Sequence, residues 1–199
     1  MREEILRVAR EMIEQEGVAN LSLRAIARTL GYSPAALYEY FASKEAIAKA
    51  LYFEGADGLA GQMHRDLADL SPATPPMDAK KALGRAYRRY ALDNRELFLL
   101  VFGSGNAFST LSEQMEKNSE GYDALLATVQ SGLDSGDIVE MPVEMLALTA
   151  WASVHGFVML ELSGAFGGSE PDCEVPGQIP PDQLFEAHME LIDIGMRRR

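Results

Sequence analysis

One cysteine, Cys173, and three widely spaced histidines, His64, His155 and His188, leave this chain short of the residues that much protein chemistry needs. A single cysteine excludes an internal disulfide framework and suits a reducing compartment, the cytoplasm. The histidines show no metal-ligand spacing, so neither zinc nor another cofactor is expected. No basic segment precedes an apolar stretch at the start, and no unbroken run of about 18 apolar residues occurs, so neither a signal peptide nor a membrane span is expected. The glycine-rich FGSGNAF, residues 102–108, lacks both a following Gly-Lys-Ser/Thr and a preceding strand. No Ser/His/Asp or paired-carboxylate arrangement emerges, so no catalytic site is expected. Strand alternation is missing throughout, and the chain reads as all helix.

What is present is concentrated in LSLRAIARTLGYSPAALYEYFASKEAI, residues 21–47. Leu23, Ile26, Ala27 and Leu30 recur at i, i+3, i+4 and i+7, giving one apolar helix face. Ser22 is its N-cap, and Gly31 ends it by taking a left-handed conformation. Ser33-Pro34 restarts a helix, serine as cap and proline where no amide hydrogen is missed. Leu37 and Phe41 turn inward, leaving Ala35, Tyr38, Glu39 and Tyr40 outward or sideways. Ser43 caps the next helix, with Glu45 in its positive first turn. Two short helices joined by a glycine turn form a helix-turn-helix, the unit that sets a recognition helix in a DNA major groove.

Ser22, Ile26-Ala27, Gly31, Ser33-Pro34, Leu37-Tyr38, Tyr40-Phe41 and Ser43-Lys44-Glu45 closely resemble the DNA-binding signature of the TetR family of bacterial repressors. The resemblance implies that Ser33, Tyr38, Tyr40 and Lys44 hold phosphates and that Pro34 and Ala35 approach the bases. Ala35 stands where the family often has glycine, and its methyl suits a thymine methyl. Tyr40 replaces a commoner histidine, so its contact should not vary with pH near neutrality. Glu39 either accepts from cytosine N4 or only sits beside an arginine or water. Ser22 and Arg24, at the start of the preceding helix, join the DNA-facing set; Arg28 is the weaker candidate, with a glutamate of the first helix as its alternative partner.

Net charge is −12, unusual for a DNA binder, but it is unevenly spread. Residues 1–50 carry seven Lys/Arg and seven Asp/Glu, against eleven and twenty-three in the remainder. With no broad positive field, phosphate binding has to rest on a few placed groups and helix N-termini. Residues 2–16 read as a supporting first helix, with phosphate contact by Arg2 as an alternative.

Beyond the headpiece, a helix from Ser43 to about Leu70 carries Gly55, Gly58 and Gly61, which suggests a bend or close packing. SPATPPMD, residues 71–78, is the one clear linker. Helices are expected over Ala79–Asn94, 95–103, Ser109–Ser135 (with Met115 in register), Pro142–Leu162 and Pro181–Met196. The fourth of these is apolar nearly all round, which marks burial on several faces. Arg85, Arg88 and Arg89 read as a solvated face or as partners of nearby acids, with nucleic-acid contact as the remaining alternative. The Gly/Pro-rich segment 163–181 is a long loop, and Cys173 within it reads as a neutral surface thiol or, less readily, a redox sensor.

AYRRYALDNRELFLLVFG and WASVHGFVMLELSG resemble a TetR-type regulatory domain named for a Trp-His-Gly motif, carried here by Trp151, His155 and Gly156. That resemblance implies a homodimer through the last two helices and a bound small-molecule effector. Tyr87, Phe98, Phe102, Tyr122, Trp151, His155 and Met159 are the candidate lining of a mostly apolar pocket, each with plain core as its alternative.

The expected protein has about nine helices: an N-terminal three-helix helix-turn-helix domain, 1–48, and a helical ligand-binding and dimerisation domain, 49–199. Its expected partners are double-stranded DNA with a palindromic operator, a small hydrophobic effector and a second copy of itself, with no membrane. The alternative is a helical ligand-binding or catalytic protein whose helix-turn-helix is incidental.

Overall fold

The computed structural model describes residues 1–103, 111–166 and 179–198, with residues 111–119 described by backbone alone. Cys173, most of the 163–181 loop, FGSGNAF beyond Gly103, the Met115 side chain and Arg199 lie outside the described residues. Among those described, nine α-helices and a 3₁₀ turn, Val18–Asn20, account for the fold, with one isolated bridge between Ile138 and Arg197. The helices are α1 (Arg2–Glu16), α2 (Leu23–Leu30), α3 (Pro34–Tyr38), α4 (Lys44–Ala68), α5 (Pro76–Asp93), α6 (Arg95–Phe102), α7 (Leu111–Asp134), α8 (Val143–Leu162) and α9 (Pro181–Met196).

The chain divides into two compact units, Met1–Ala60 with Asp93–Ser119, and Gly61–Leu92 with Glu120–Arg199. In the first, the apolar side of α1 (Ile5, Val8, Ala9, Ile13) meets Leu23, Ile26 and Ala27 of α2 and Leu37 of α3 in one core. Gly31 closes α2 at φ 73°, and its amide bonds back to the end of that helix. Open space surrounds the place of a Cβ there, so the glycine answers the backbone angle alone. Gly55 has a different reason: a Cβ would lie 3.0 Å from Val101 and 3.2 Å from the Leu97 carbonyl, so α4 and α6 pack closely at this point. Of the two outcomes expected of the α4 glycines, Gly55 serves close packing, and α4 stays one continuous helix.

In the second unit, Tyr87 and Ala91 of α5, Ala147 and Val158 of α8, and Phe185 and Met189 of α9 are buried together with Val129 and Ile138. The linker is shorter than expected. Pro76 is itself the first residue of α5, and the amides of Asp78 and Ala79 bond to the Pro75 carbonyl, because a proline in the first turn loses no helical hydrogen bond.

By length and composition α8 is apolar enough to cross a membrane, with a mean hydropathy of 1.5, which the absence of an unbroken apolar run had excluded. Averaging forgives Glu144 and Glu161 at its ends. It packs on α9, but only a third of its apolar window is buried within the chain, so the burial on several faces expected from its composition is not met by this chain alone.

Candidate nucleic-acid interface and buried cavity

Three serine caps build the outer surface of the first unit. Ser22 accepts from the Ala25 amide at 3.5 Å, Ser33 from Ala36 at 3.3 Å, and Ser43 from Ala46 at 3.2 Å. Each hydroxyl uses an acceptor site for its cap and keeps its proton to donate elsewhere. Ser33 also starts α3, the short helix whose Leu37 is fully buried. Burying Leu37 and Phe41 forces the rest of this segment outward. Ser33, Pro34, Ala35, Tyr38, Glu39 and Tyr40 are all exposed, Tyr38 at 57% and Tyr40 at 45%. Two large aromatics lie open to solvent on one short segment, an arrangement that burial of apolar area disfavours unless something covers them.

Arg24, Arg28 and Lys44 are exposed as well, and Ser22 is half-buried. The Glu45 carboxyl is held below the ordinary carboxylate value by its own backbone amide and then by the Ser43 hydroxyl, as expected at a helix start. Tyr32, 42% exposed in the turn between α2 and α3, was not picked out by the sequence pattern, although its place beside Gly31 was the available signal. The Arg2 guanidinium lies 5.1 Å from the Phe41 ring centroid, a cation–π contact that ties the start of α1 to the end of the α3 segment.

These features can hold a phosphate backbone with hydroxyls and a lysine while α3 faces base edges. Comparisons with known proteins identify the family. Residues 5–51 match the tetR family of bacterial regulatory proteins, and residues 81–191 match a tetracyclin repressor-like C-terminal domain. The HTH-type transcriptional regulator Rv1816 of Mycobacterium tuberculosis is 34% identical over 94% of this chain and 88% of its own length. This chain belongs to the TetR family. It is a DNA-binding transcriptional regulator of the helix-turn-helix kind. A solved structure of a protein of unknown function from Rhodococcus sp. RHA1 matches this TetR-family chain with a TM-score of 0.84 at 28% identity, covering 99% of this chain and 95% of the other. The TetR family regulator PfmR from Thermus thermophilus shares the fold, with a TM-score of 0.68 at 21% identity over 98% and 99% of the two chains.

The second unit of this TetR-family regulator contains a small cavity of about 30 Å³, lined by residues of α4, α5, α7, α8 and α9. Tyr87 and Trp151 stand in its wall. Behind them runs a polar chain. The Trp151 indole N–H donates to the Tyr87 hydroxyl at 3.4 Å, and that hydroxyl lies 2.8 Å from His155 Nδ1. Burial pushes the Tyr87 hydroxyl's pKa up and that of His155 down, so both stay neutral at pH 7. In the neutral tautomer that carries its proton on Nε2, His155 Nδ1 accepts a hydrogen bond from the Tyr87 hydroxyl. Tyr122 stacks on Trp151 with ring centroids 5.8 Å apart.

Four of the seven expected pocket residues, Tyr87, Tyr122, Trp151 and His155, thus form one cluster in the second unit. Phe98 and Phe102 pack on each other at 4.8 Å within the first unit, and Met159 is half-buried on α8. The cavity wall also contains Lys80, which the sequence reading passed over. The available signal was its spacing, since Lys80, Leu83 and Tyr87 share one helix face at i, i+3 and i+7.

Arg85, Arg88 and Arg89 pair with Glu186, with Glu161 and Asp182, and with Asp66 respectively. Acidic partners are therefore observed for all three, with Arg85 and Arg89 also half exposed to solvent.

Proposed function

We infer that this regulator is a homodimeric repressor, released from a palindromic operator when a small, mostly apolar ligand binds its second domain. Residues 1–48 serve DNA and residues 49–199 serve sensing and dimerisation; the role is binding, not catalysis, and the cytoplasm is where it is carried out. Ser22, Arg24, Ser33, Tyr38, Tyr40 and Lys44 take phosphates, while Pro34, Ala35 and Glu39 face the bases.

The observation that carries ligand sensing is the buried cavity with Tyr87 and Trp151 in its wall, because an apolar hollow beside a few convergent polar groups suits a small ligand. Dimerisation is supported by two exposed apolar stripes. Met145, Leu148, Ala152, Gly156 and Leu160 run along one side of α8, and Ala187, Leu191, Ile194 and Gly195 along one side of α9. Gly156 and Gly195 have nothing within 4 Å of where a Cβ would stand, which leaves room for another helix to approach. A two-fold dimer presents two recognition helices to two half-sites, which a neutral headpiece needs more than a basic one does.

Selection of binding sites with the purified protein tests this reading. The expected result is a palindromic site, bound by a dimer in sedimentation and vacated when the ligand is added. A single half-site bound by a monomer, or a ligand that tightens the complex, overturns it.

A further inference from the structure

Seven lysines and arginines fall within residues 1–50, and the first unit uses several of them internally. Arg7 pairs with Glu11, Arg10 pairs with Glu54, and the Lys49 ammonium lies 5.8 Å from the Phe53 ring centroid. Arg28 sits in the last turn of α2, where a positive charge suits the negative end of that helix. Arg24 and Lys44 already belong to the DNA-facing set. Arg2 is left over. It is exposed and, among the described residues, makes no ion pair and no side-chain hydrogen bond. Glu3 and Glu4 share its turn without pairing with it, and Glu4 is instead 3.2 Å from the Met1 amine.

What Arg2 does have is a seat. Its guanidinium carbon stands 5.1 Å from the centroid of the Phe41 ring, and Phe41, 5% exposed, is fixed in the core of the first unit. Phe41 directly follows the exposed Tyr40, and Lys44 opens α4 just beyond. Folding thus carries the first residue of α1 to the Tyr40–Lys44 end of the recognition segment. An aromatic face attracts a cation without using up its N–H donors, which stay free for the two-pronged contact a guanidinium makes with a phosphate. We propose that Arg2 is a further phosphate contact of this DNA-binding surface, held in place by Phe41. The proposal rests on the phosphate roles given above to Tyr40 and Lys44, and it extends that patch onto α1.

A neutral headpiece gives one added cation weight, because each placed charge carries a larger share of the salt-sensitive affinity where no broad positive field exists. A long arginine ordinarily gives up side-chain freedom when it binds, and one already resting on a ring has given up part of it beforehand. The seat also separates two substitutions. Arg2→Lys keeps the charge but loses the planar fork. Arg2→Met keeps an unbranched chain that can lie against the Phe41 ring and removes the charge.

The full-length protein is titrated across a salt series against two labelled duplexes of equal length, the site recovered by selection and one of random sequence. Arg2→Met should weaken both by a similar factor, about tenfold, the scale of one hydrogen bond between charged groups. It should also make the dependence of log affinity on log salt shallower by about one unit for each bound protomer. Arg2→Lys should keep the slope and recover part of the affinity. Arg7→Met removes an equal charge from a paired arginine on the same helix and should leave the slope unaltered. A purely structural Arg2–Phe41 contact predicts instead that Arg2→Met, with its packing kept, binds DNA like the parent. Arg2→Gln replaces Arg2→Met if the latter does not melt cooperatively. An unaltered slope in Arg2→Met, a loss confined to the selected site, or an equal change in Arg7→Met overturns the proposal. Lys44→Ala tests the underlying reading separately: a shallower slope there with none in Arg2→Met removes Arg2 alone, and the reverse keeps Arg2 while removing Lys44.

Discussion

The Tyr87 hydroxyl and His155 Nδ1 lie 2.8 Å apart, with the Trp151 indole 3.4 Å from the same hydroxyl, so three residues on two helices satisfy one another beside the cavity. A protonated His155 could not accept there.

Stability should therefore depend on pH on the acid side of neutrality. Burial holds both His155 and His188 below the ordinary histidine value of 6.5, so the folded protein binds fewer protons than the unfolded chain just below that value. Their contribution is fully present above about pH 6.5 and is lost as pH falls through the folded values. The melting temperature of the parent protein should drop between about pH 7 and about pH 5.5, and His155→Gln should flatten that slope. An unchanged slope in His155→Gln assigns the effect to His188. Glu186 and Glu190, whose values are lowered mainly by hydrogen bonds from Arg85 and Lys81, lose their contributions only below the ordinary carboxylate value of 4.5, outside this window.

Lys44 and Tyr38 should separate by salt. Lys44→Ala removes a cation exposed at the start of α4 and should make the dependence of log affinity on log salt shallower by about one unit. Tyr38→Phe removes only a hydroxyl and should weaken the operator complex without altering that slope. Equilibrium titrations across a salt series read both, and an unaltered slope in Lys44→Ala ends its phosphate assignment.

Replacement of Gly31 tests the turn. Alanine at φ 73° meets no neighbour, so the cost is backbone strain alone, about 1–2 kcal/mol in urea unfolding, with asparagine costing less. An alanine variant as stable as the parent would mean the turn has another conformation.

The stripe on α9 is open to charge. Leu191 is 68% exposed and Ile194 59%, so Leu191→Glu with Ile194→Glu should leave the isolated chain folded. If the last two helices form the dimer, the double variant sediments as a monomer and binds its operator on the order of tenfold more weakly or worse. A dimer that survives both charges places the interface elsewhere.

Arg88 is the ion-pair member that should matter most for stability. Its guanidinium donates to Glu161 at 2.7 and 2.6 Å, reaches Asp182 at 2.8 Å and lies 4.9 Å from the Phe185 ring centroid. Arg88→Met leaves the mostly buried Glu161 unpaired and should cost about 2–3 kcal/mol in chemical unfolding. Arg88→Lys should recover little, since an ammonium cannot supply the two-pronged contact. By contrast Arg89→Met, at a half-exposed pair, should cost under about 1 kcal/mol.

The helix-turn-helix was legible because its instructions are local. Ser22, Ser33 and Ser43 cap, Gly31 turns and Pro34 restarts, each within about four residues of what it acts on, and burying Leu37 and Phe41 turns the neighbouring side chains outward. The second unit was legible only as helices. Pro76 looked like linker because proline reads as a break until its place in the first turn is known. Phe98 and Tyr87 carried the same pattern of an apolar helical residue, and only packing showed that one lies against Phe102 and the other in the cavity wall.

The sequence by itself determined a helix-turn-helix and a helical body, because caps, turns and helical periodicity act over short distances, and the resemblance of its residues gave the family. Tertiary structure alone decided which distant groups meet. Asp193 lies more than a hundred residues from Lys80, and nothing local to either announces a shared buried charge; the packing of α5 against α9 brings them together. The same packing settles that Met189 lies over Gly84 and that Tyr87 answers His155, since contacts between helices depend on where each apolar face is buried.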